Sequence, residues 1–231
     1  MSSTIKENIA AIREMITESA LKAGRKPEDI LLMAVSKTKP LEDAKEAALC
    51  GCLLGENYVQ EFKDKVDLSP ELPWHFIGHL QKNKVKYVVP RAEMIHSVDT
   101  FELAEKISSE AMKKEKTVSC LIEINSGDED NKFGLTINDS QYIIDMIKRT
   151  SQLPNIKVRG LMTVAPFVEN GEENRDIFKK MKYCFEEIKA ICPDADTLSM
   201  GMSGDFTVAV EEGATIVRVG TKIFGARNYN K

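Results

Sequence analysis

The residues best suited to chemistry in this chain are one lysine, one arginine and two short glycine–hydroxyl turns. Lys37 stands in Ile30-Leu-Leu-Met-Ala-Val-Ser-Lys-Thr-Lys-Pro40, directly after a continuous apolar run. Such a run reads as a strand buried on both faces, so Lys37 sits where a strand leaves the core. An ammonium turned back toward a pocket there is partly desolvated. Its pKa falls, and the free amine can form a Schiff base with an aldehyde. The alternative is a lysine in solvent beside an equally wet Lys39.

The two turns are Ser199-Met-Gly-Met-Ser-Gly-Asp205 and Arg218-Val-Gly-Thr-Lys-Ile-Phe-Gly225. Each sets glycine and a hydroxyl residue just before a helical pattern. Close backbone, free N–H groups and the helix dipole favour a phosphate at such a place. Either turn could equally be a plain helix cap, and neither is a Walker loop, because GxxxxGK[ST] is absent. In Thr215-Ile-Val-Arg-Val-Gly220 the alternation puts Arg218 beside Ile216 on one face of a buried strand. A guanidinium there is costly unless it meets an anion or a ring. It reads either as half of a structural ion pair, with a glutamate such as Glu123, or as an arginine facing a ligand.

The elements that must position these residues alternate along the chain. Ile5, Ile9, Ile12 and Ile16 mark one face of a first helix that Gly24 and Pro27 stop. Strands are expected at Ile30–Ser36, Cys52–Gly55, Trp74–Ile77, Met94–Val98, Val118–Asn125, Lys157–Val164, Thr197–Met200 and Thr215–Val219. Helical patterns fall near 41–50, 57–67, 80–88, 100–115, 138–151, 172–190 and 205–212, with a short one after the last strand. Strict β-α alternation implies a parallel sheet, and eight units favour a closed α/β structure, the (β/α)8 TIM barrel. No linker or composition shift divides the chain. The expectation is a single domain over 1–231, with an additional N-terminal helix in 1–24 and the barrel in 30–226. In such a barrel the loops after the strands build the active face, which is where Lys37 and both turns fall.

Composition excludes several classes. The 42% hydrophobic and 29% charged residues are those of an ordinary globular chain, and a net charge of −4 gives no footprint for nucleic acid. No apolar stretch is long enough for a membrane span, and the first residues carry no hydrophobic signal region, so a cytoplasmic protein is expected. Cys50, Cys52, Cys120, Cys184 and Cys192 have no zinc or redox spacing and read as reduced packing residues. His75 and His79 are four apart, but Trp74-His-Phe-Ile-Gly78 reads as a strand entering a turn. The pair need not share a face, and no metal is expected.

A strand-end amine, a phosphate cradle and an arginine aimed at one barrel mouth are the three things pyridoxal 5′-phosphate (PLP) requires. An arginine at its pyridine nitrogen does not readily hold the ring protonated, which makes a weaker electron sink than an aspartate would.

At this point the sequence resembles the pyridoxal phosphate homeostasis proteins over nearly its whole length. The resemblance rests on Ala34-Val-Ser-Lys-Thr-Lys-Pro40, Gly55-Glu-Asn-Tyr-Val-Gln-Glu61 and Trp74-His-Phe-Ile-Gly-His-Leu-Gln81. It continues through Asn131-Lys-Phe-Gly134, Arg159-Gly-Leu-Met162, Leu198-Ser-Met-Gly-Met-Ser203 and Val217-Arg-Val-Gly-Thr-Lys-Ile-Phe-Gly-Ala226. It implies a barrel like the N-terminal domain of alanine racemase, with PLP held as a Schiff base on Lys37. Ser203, Gly220 and Thr221 match the family's phosphate-contacting positions, and Arg218 matches the residue beside the pyridine nitrogen. Asn57, His79, Met162 and Met202 are implied as pocket wall without individual roles. The stretch 125–134 matches more loosely.

The family is regarded as binding and buffering the cofactor, without established turnover, and the leading expectation is a carrier that supplies it to apo-enzymes. No catalytic residue is therefore assigned. Alanine racemase-like enzymes add an all-β domain that supplies a tyrosine base. The chain runs only to Lys231, ten residues beyond Thr221, and no such domain is expected. Expected partners are PLP and, transiently, PLP-dependent apo-enzymes, with a monomeric state. Lys39 or Lys132 is a candidate second lysine for transient hold. A PLP-dependent amino-acid racemase is the alternative reading. A serine hydrolase built on Ser203 fits worse, because Asp205 stands where GxSxG needs glycine and no histidine follows.

Overall fold

Eight of the apolar runs close into a parallel ring in the computed structural model, which describes residues 4–127 and 133–226. The strands are β1 (Leu31–Val35), β2 (Leu53–Glu56), β3 (Trp74–Phe76), β4 (Met94–Val98), β5 (Val118–Asn125), β7 (Ile156–Thr163), β8 (Thr197–Ser199) and β9 (Ile216–Val219). A two-residue strand, β6 (Leu135–Thr136), hangs on the end of β5 and was not anticipated. The order β4-β3-β2-β1-β9-β8-β7-β5, closed by a β4–β5 pairing, makes a (β/α)8 TIM barrel.

Helices α1 (Ile5–Lys22), α2 (Leu41–Leu49), α3 (Val59–Leu68), α4 (Val85–Val88), α5 (Phe101–Lys113), α6 (Ser140–Ser151), α7 (Arg175–Lys189), α8 (Phe206–Glu211) and α9 (Thr221–Phe224) surround the ring. The helix expected over 80–88 is a 3₁₀ turn at Lys82–Lys84 followed by the single turn of α4. No helix among the described residues is long and apolar enough to cross a membrane.

Both faces of β1 are buried for different reasons. Leu32 and Ala34 join the large cluster between sheet and helices, while Met33 and Val35 face the barrel axis with Ile77 and Ile216. This double burial is why the run is apolar without alternation. The N-terminal helix starts with a reciprocal capping box between Thr4 and Glu7, and buries Ile9, Ile12, Ile16 and Ala20. It lies against α2, α8 and α9, across the seam where the first and last units meet. Arg25, just past its end, ties it to the last unit by donating to the carbonyls of Val210 and Ala214.

The β5–β7 pairing skips one residue between Cys120↔Val158 and Leu121↔Gly160, which bulges Arg159 out to pair with Asp196. Gly160 has φ +142°, and a Cβ there would fall 1.8 Å from Thr197 O, so only glycine lets β8 approach. Beyond the bulge, Met162 turns inward, where it packs with Met94 and Leu121.

The barrel interior is only partly apolar. His75, His96, Ser199, Glu123 and Arg218 are all buried. Burial holds His75 down at about 4. It holds His96, which also feels His75 and Arg218, well below its ordinary value. Burial first, then the negative charge of Asp99, push Glu123 up to about 7 against the opposing pull of Arg218.

These shifts set the pH dependence of stability. Between pH 6.5 and 4 the unfolded chain takes up a proton that folded His75 refuses, so stability falls on acidification through that window. Glu123 works the other way. Its contribution is present below 4.5 and is lost as pH rises to about 7. We therefore expect Glu123→Gln, which cannot ionise, to gain on the wild type between pH 5 and pH 8, by up to about 3 kcal/mol. Urea unfolding at the two pH values checks this, and an equal difference at both would count against it.

Candidate functional site

The turn after β1 is held by a buried cation. Lys65, on α3, is almost fully enclosed. Its ammonium donates to Ser36 O (2.8 Å), Glu56 Oε1 (2.6 Å) and Glu61 Oε1 (2.8 Å). Ser36 Oγ donates to the same Glu56 oxygen at 2.7 Å. Glu61 Oε1 in turn accepts the Thr38 N–H at 2.7 Å, and the Lys39 N–H returns to Ser36 O at 3.0 Å. The backbone on both sides of Lys37 is thereby fixed. Thr38 sits at φ +63°, a left-handed conformation that costs a β-branched residue about 1–2 kcal/mol. The surrounding bonds hold that strain in place and carry the half-buried Lys37 side chain toward the mouth.

The opposite wall comes from the loops after β8 and β9. Asp205 is buried, and its two oxygens accept the Met202 N–H at 2.6 Å and the Asn174 amide at 2.8 Å, closing a tight turn around Ser203. Ser203 Oγ accepts the Gly220 N–H at 3.3 Å, stitching the two loops together. Gly220 opens α9; its carbonyl accepts the Ile223 and Phe224 N–H groups, and the N–H groups of Thr221 and Lys222 lie ahead of the first intrahelical bond. A Cβ on Gly220 would come within 3.3 Å of Val35 O, so the glycine lets the last loop lie close on β1.

Arg218 lies beneath these loops at 4% exposure, and burial lowers its pKa to about 10. Its guanidinium donates through NH1 to Ser199 Oγ and through NH2 to Thr163 O, both at 2.7 Å. The sequence left open an ion pair with Glu123. The hydrogen bonds of Arg218 among the described residues go to these neutral groups instead; Glu123 Oε2 has no hydrogen-bond partner there, and Arg218 acts on Glu123 only through its charge.

One cavity of about 380 Å³ gathers Lys37, Asn57, Met202, Ser203, Arg218, Gly220 and Thr221. That is within the usual range of a small-ligand site. Pro166, Phe167 and Val168 also line it, which the sequence reading missed. Phe167 is 93% exposed at the rim.

Two of the expected wall residues lie elsewhere. Met162 is packed in the barrel interior below the cavity, because the bulge at Arg159 sets its depth and direction. His79 faces a neighbouring groove of about 540 Å³ that it shares with Asn57 and Tyr58. The chain passes so close to Asn57 at Gly78 that a Cβ there would fall 2.1 Å from its carbonyl oxygen, and it then carries His79 over the rim. The His79 ring stacks on Phe133 at 3.6 Å, with Nδ1 3.6 Å from Asp99. Lys39 commits its amine to the carbonyls of Phe224 (2.8 Å) and Ala226 (3.1 Å), at the end of α9. Lys132 lies outside the described residues. Lys65 and Glu56 were legible only as charges on amphipathic segments, and nothing in their spacing marked them as buried.

Replacing Lys65 by methionine strands the Glu56 carboxylate in the interior. We expect Lys65→Met to lose about 3–5 kcal/mol in chemical denaturation, and Lys65→Met/Glu56→Gln to recover most of it. A loss under about 1 kcal/mol would place the pair with exposed ion pairs and break this account.

The alanine racemase N-terminal domain model matches residues 2–228. A pyridoxal phosphate homeostasis protein from Aquifex aeolicus is 42% identical, over 96% of this chain and 98% of its own. Among solved structures, a protein of unknown function from Bifidobacterium adolescentis superposes with a TM-score of 0.89 at 32% identity. The match covers 95% of this chain and 94% of that one. PipY from Synechococcus elongatus PCC7942, solved with PLP bound, gives 0.80 at 32% identity, over 96% of this chain and 100% of its own. The chain belongs to the pyridoxal phosphate homeostasis protein family, built on the alanine racemase N-terminal barrel.

Proposed function

We propose that this chain binds PLP in the barrel mouth, holds it reversibly as a Schiff base on Lys37, and thereby buffers and supplies it to apo-enzymes. The observation that carries the reading is the convergence of Lys37, Arg218 and the Ser203–Gly220–Thr221 cradle on one cavity. The PLP-bound PipY structure, 32% identical and similar over nearly the whole chain, supports it.

The donor set fits the group chemically. Lys37 supplies an amine, the Ser203 and Thr221 hydroxyls and the N–H groups that open α9 supply donors for a phosphate, and Gly220, whose own N–H goes to Ser203 Oγ, keeps the approach clear. Arg218 supplies a donor at the ring end. When bound, the cofactor supplies the electrophilic aldehyde. Lys37 would hold the cofactor by joining its neutral amine to that aldehyde carbon with loss of water, and returning water would release it.

A carrier suits this site better than an enzyme. Turnover of an amino acid on the cofactor needs a positioned acid–base group besides the lysine. The one carboxylate among the described lining residues is Asp205, and both its oxygens are engaged by Met202 and Asn174. The family's name as homeostasis proteins agrees.

Purified protein incubated with PLP should show a visible absorbance band that Lys37→Ala abolishes. Mass spectrometry after borohydride reduction should find the adduct on Lys37. A colourless wild type, or an adduct on another lysine, defeats the proposal. Thr221→Val, which removes one hydroxyl donor to an anion, should weaken PLP binding about 10-fold while leaving the borohydride adduct on Lys37. Unchanged affinity in equilibrium titration would remove Thr221 from the cradle.

A further inference from the structure

A line of polar side chains crosses the barrel from β9 to β3 beneath the mouth. Arg218 NH1 meets Ser199 Oγ at 2.7 Å, and Ser199 Oγ lies 3.2 Å from His96 Nδ1. His96 Nε2 is 2.9 Å from His75 Nδ1, and His75 Nε2 lies 3.8 Å from Glu93 Oε2 at the far end. Ser199, His96 and Arg218 are essentially inaccessible, and His75 nearly so. Four buried polar side chains in line, beside Met33, Ile77, Ile216, Met94 and Leu121, need a reason.

The two ends of the line fix its polarity. An arginine has N–H donors and no acceptor, while a carboxylate such as Glu93 only accepts. Ser199 therefore accepts from Arg218 and gives its own proton to His96 Nδ1. His96 then carries its proton on Nε2 and donates to His75 Nδ1, which leaves the His75 Nε2–H on the side of Glu93, whose carboxylate at 3.8 Å is too far for a hydrogen bond and favours that proton electrostatically. The reversed line would set a lone pair of His75 against the Glu93 carboxylate. It would also take from the Ser199 hydroxyl proton the acceptor that His96 provides. Of the two directions, this one gives the Ser199 hydroxyl proton an acceptor and sets no lone pair of His75 against the carboxylate.

We infer that Ser199, His96 and His75 form a one-way hydrogen-bond relay whose task is to hold the Arg218 guanidinium against the ring nitrogen of a pyridine-type ligand. Ser199 and His96 are thus positioning residues, acting through Arg218. The second anchor, from NH2 to Thr163 O, fixes the guanidinium plane, so the relay controls its rotation and depth. The assignment of the ligand rests on the proposed reading of Arg218. The polarity of the relay rests on the distances and on which of its members can donate or accept.

Two measurements separate these. Nitrogen NMR of the imidazoles in the full chain at neutral pH, without added ligand, should show His75 and His96 both neutral and both protonated on Nε2. A proton on Nδ1 of His96, or a charged ring, overturns the relay. Equilibrium titration is then run with PLP and with its analogue carrying carbon in place of the ring nitrogen.

The wild type should prefer PLP, and Ser199→Ala and His96→Leu should each cut that preference about tenfold. His96→Asn, whose side-chain oxygen can stand where Nδ1 accepted, should keep it within about twofold. The borohydride adduct at Lys37 should persist in all three. Equal weakening of both ligands means a merely structural role and overturns the proposal. A wild type that does not discriminate overturns it at its premise, a failure recognised by histidine tautomers that still match. Should Ser199→Ala fail to fold, the His96→Asn and His96→Leu pair and the tautomers decide.

Discussion

An ammonium enclosed by protein must collect acceptors on all sides, and Lys65 does so by drawing three chain segments together. Its partners are the Ser36 carbonyl at the end of β1, Glu56 at the end of β2, and Glu61 one turn earlier on its own helix. A lone buried charge would cost several kcal/mol, so the arrangement is close to obligatory once α3 packs. The turn after β1 inherits its geometry from this cluster. Ser36 is held at both its carbonyl and its hydroxyl, and Thr38 is pinned in a conformation it would not choose alone. Lys37 leaves the strand between these two clamped residues. Its direction is set from outside the mouth, which leaves the inside uncluttered.

The far wall follows a similar logic with different groups. Asp205 is consumed in shaping the turn around Ser203, and Ser203 reaches across to the Gly220 N–H. Lys39 secures the end of α9 by capping two carbonyls. The strands after which these loops follow are registered to β1 through β9, where Met33 pairs with Arg218 and Ala34 with Val219. The two halves of the mouth are thus neighbours in one hydrogen-bonded ladder, although more than 160 residues separate them in sequence. The interior below is part apolar and part polar, and the polar part leads to Arg218. A site whose charged groups are oriented by neutral, buried partners binds without needing to reorganise.

Much of this was legible in the chain. Periodicity and alternation located all eight barrel strands to within a residue or two, because double burial produces unbroken apolar runs and amphipathic crossovers. The last two glycine–hydroxyl turns were recognisable because close backbone approach leaves glycine as its trace. What escaped shares one cause. Lys65 and Glu56 look like solvent-facing charges, and His96 sits in the short run Met94-Ile-His-Ser-Val98 with nothing nearby to announce a partner on β8. The bulge at Arg159, which decides the facing of Met162, depends on Gly160 meeting Thr197 across the sheet. The passage of the chain over Asn57, which carries His79 away from the cavity, is likewise a contact between distant segments.

The sequence alone determined the architecture, the end of the barrel where the candidate groups gather, and the kinds of groups found there. These follow from local periodicity, from the handedness and length of β-α crossovers, and from the chemistry of individual side chains. Tertiary structure decided which of those groups meet, and which are diverted to structural work. Lys37 and Arg218 share a cavity, while Lys39 caps a helix and Lys65 braces a turn. All four side chains are cationic, and the three lysines are chemically identical. Burial and the identity of the acceptors that surround each one, fixed only when the barrel closes, give them different roles.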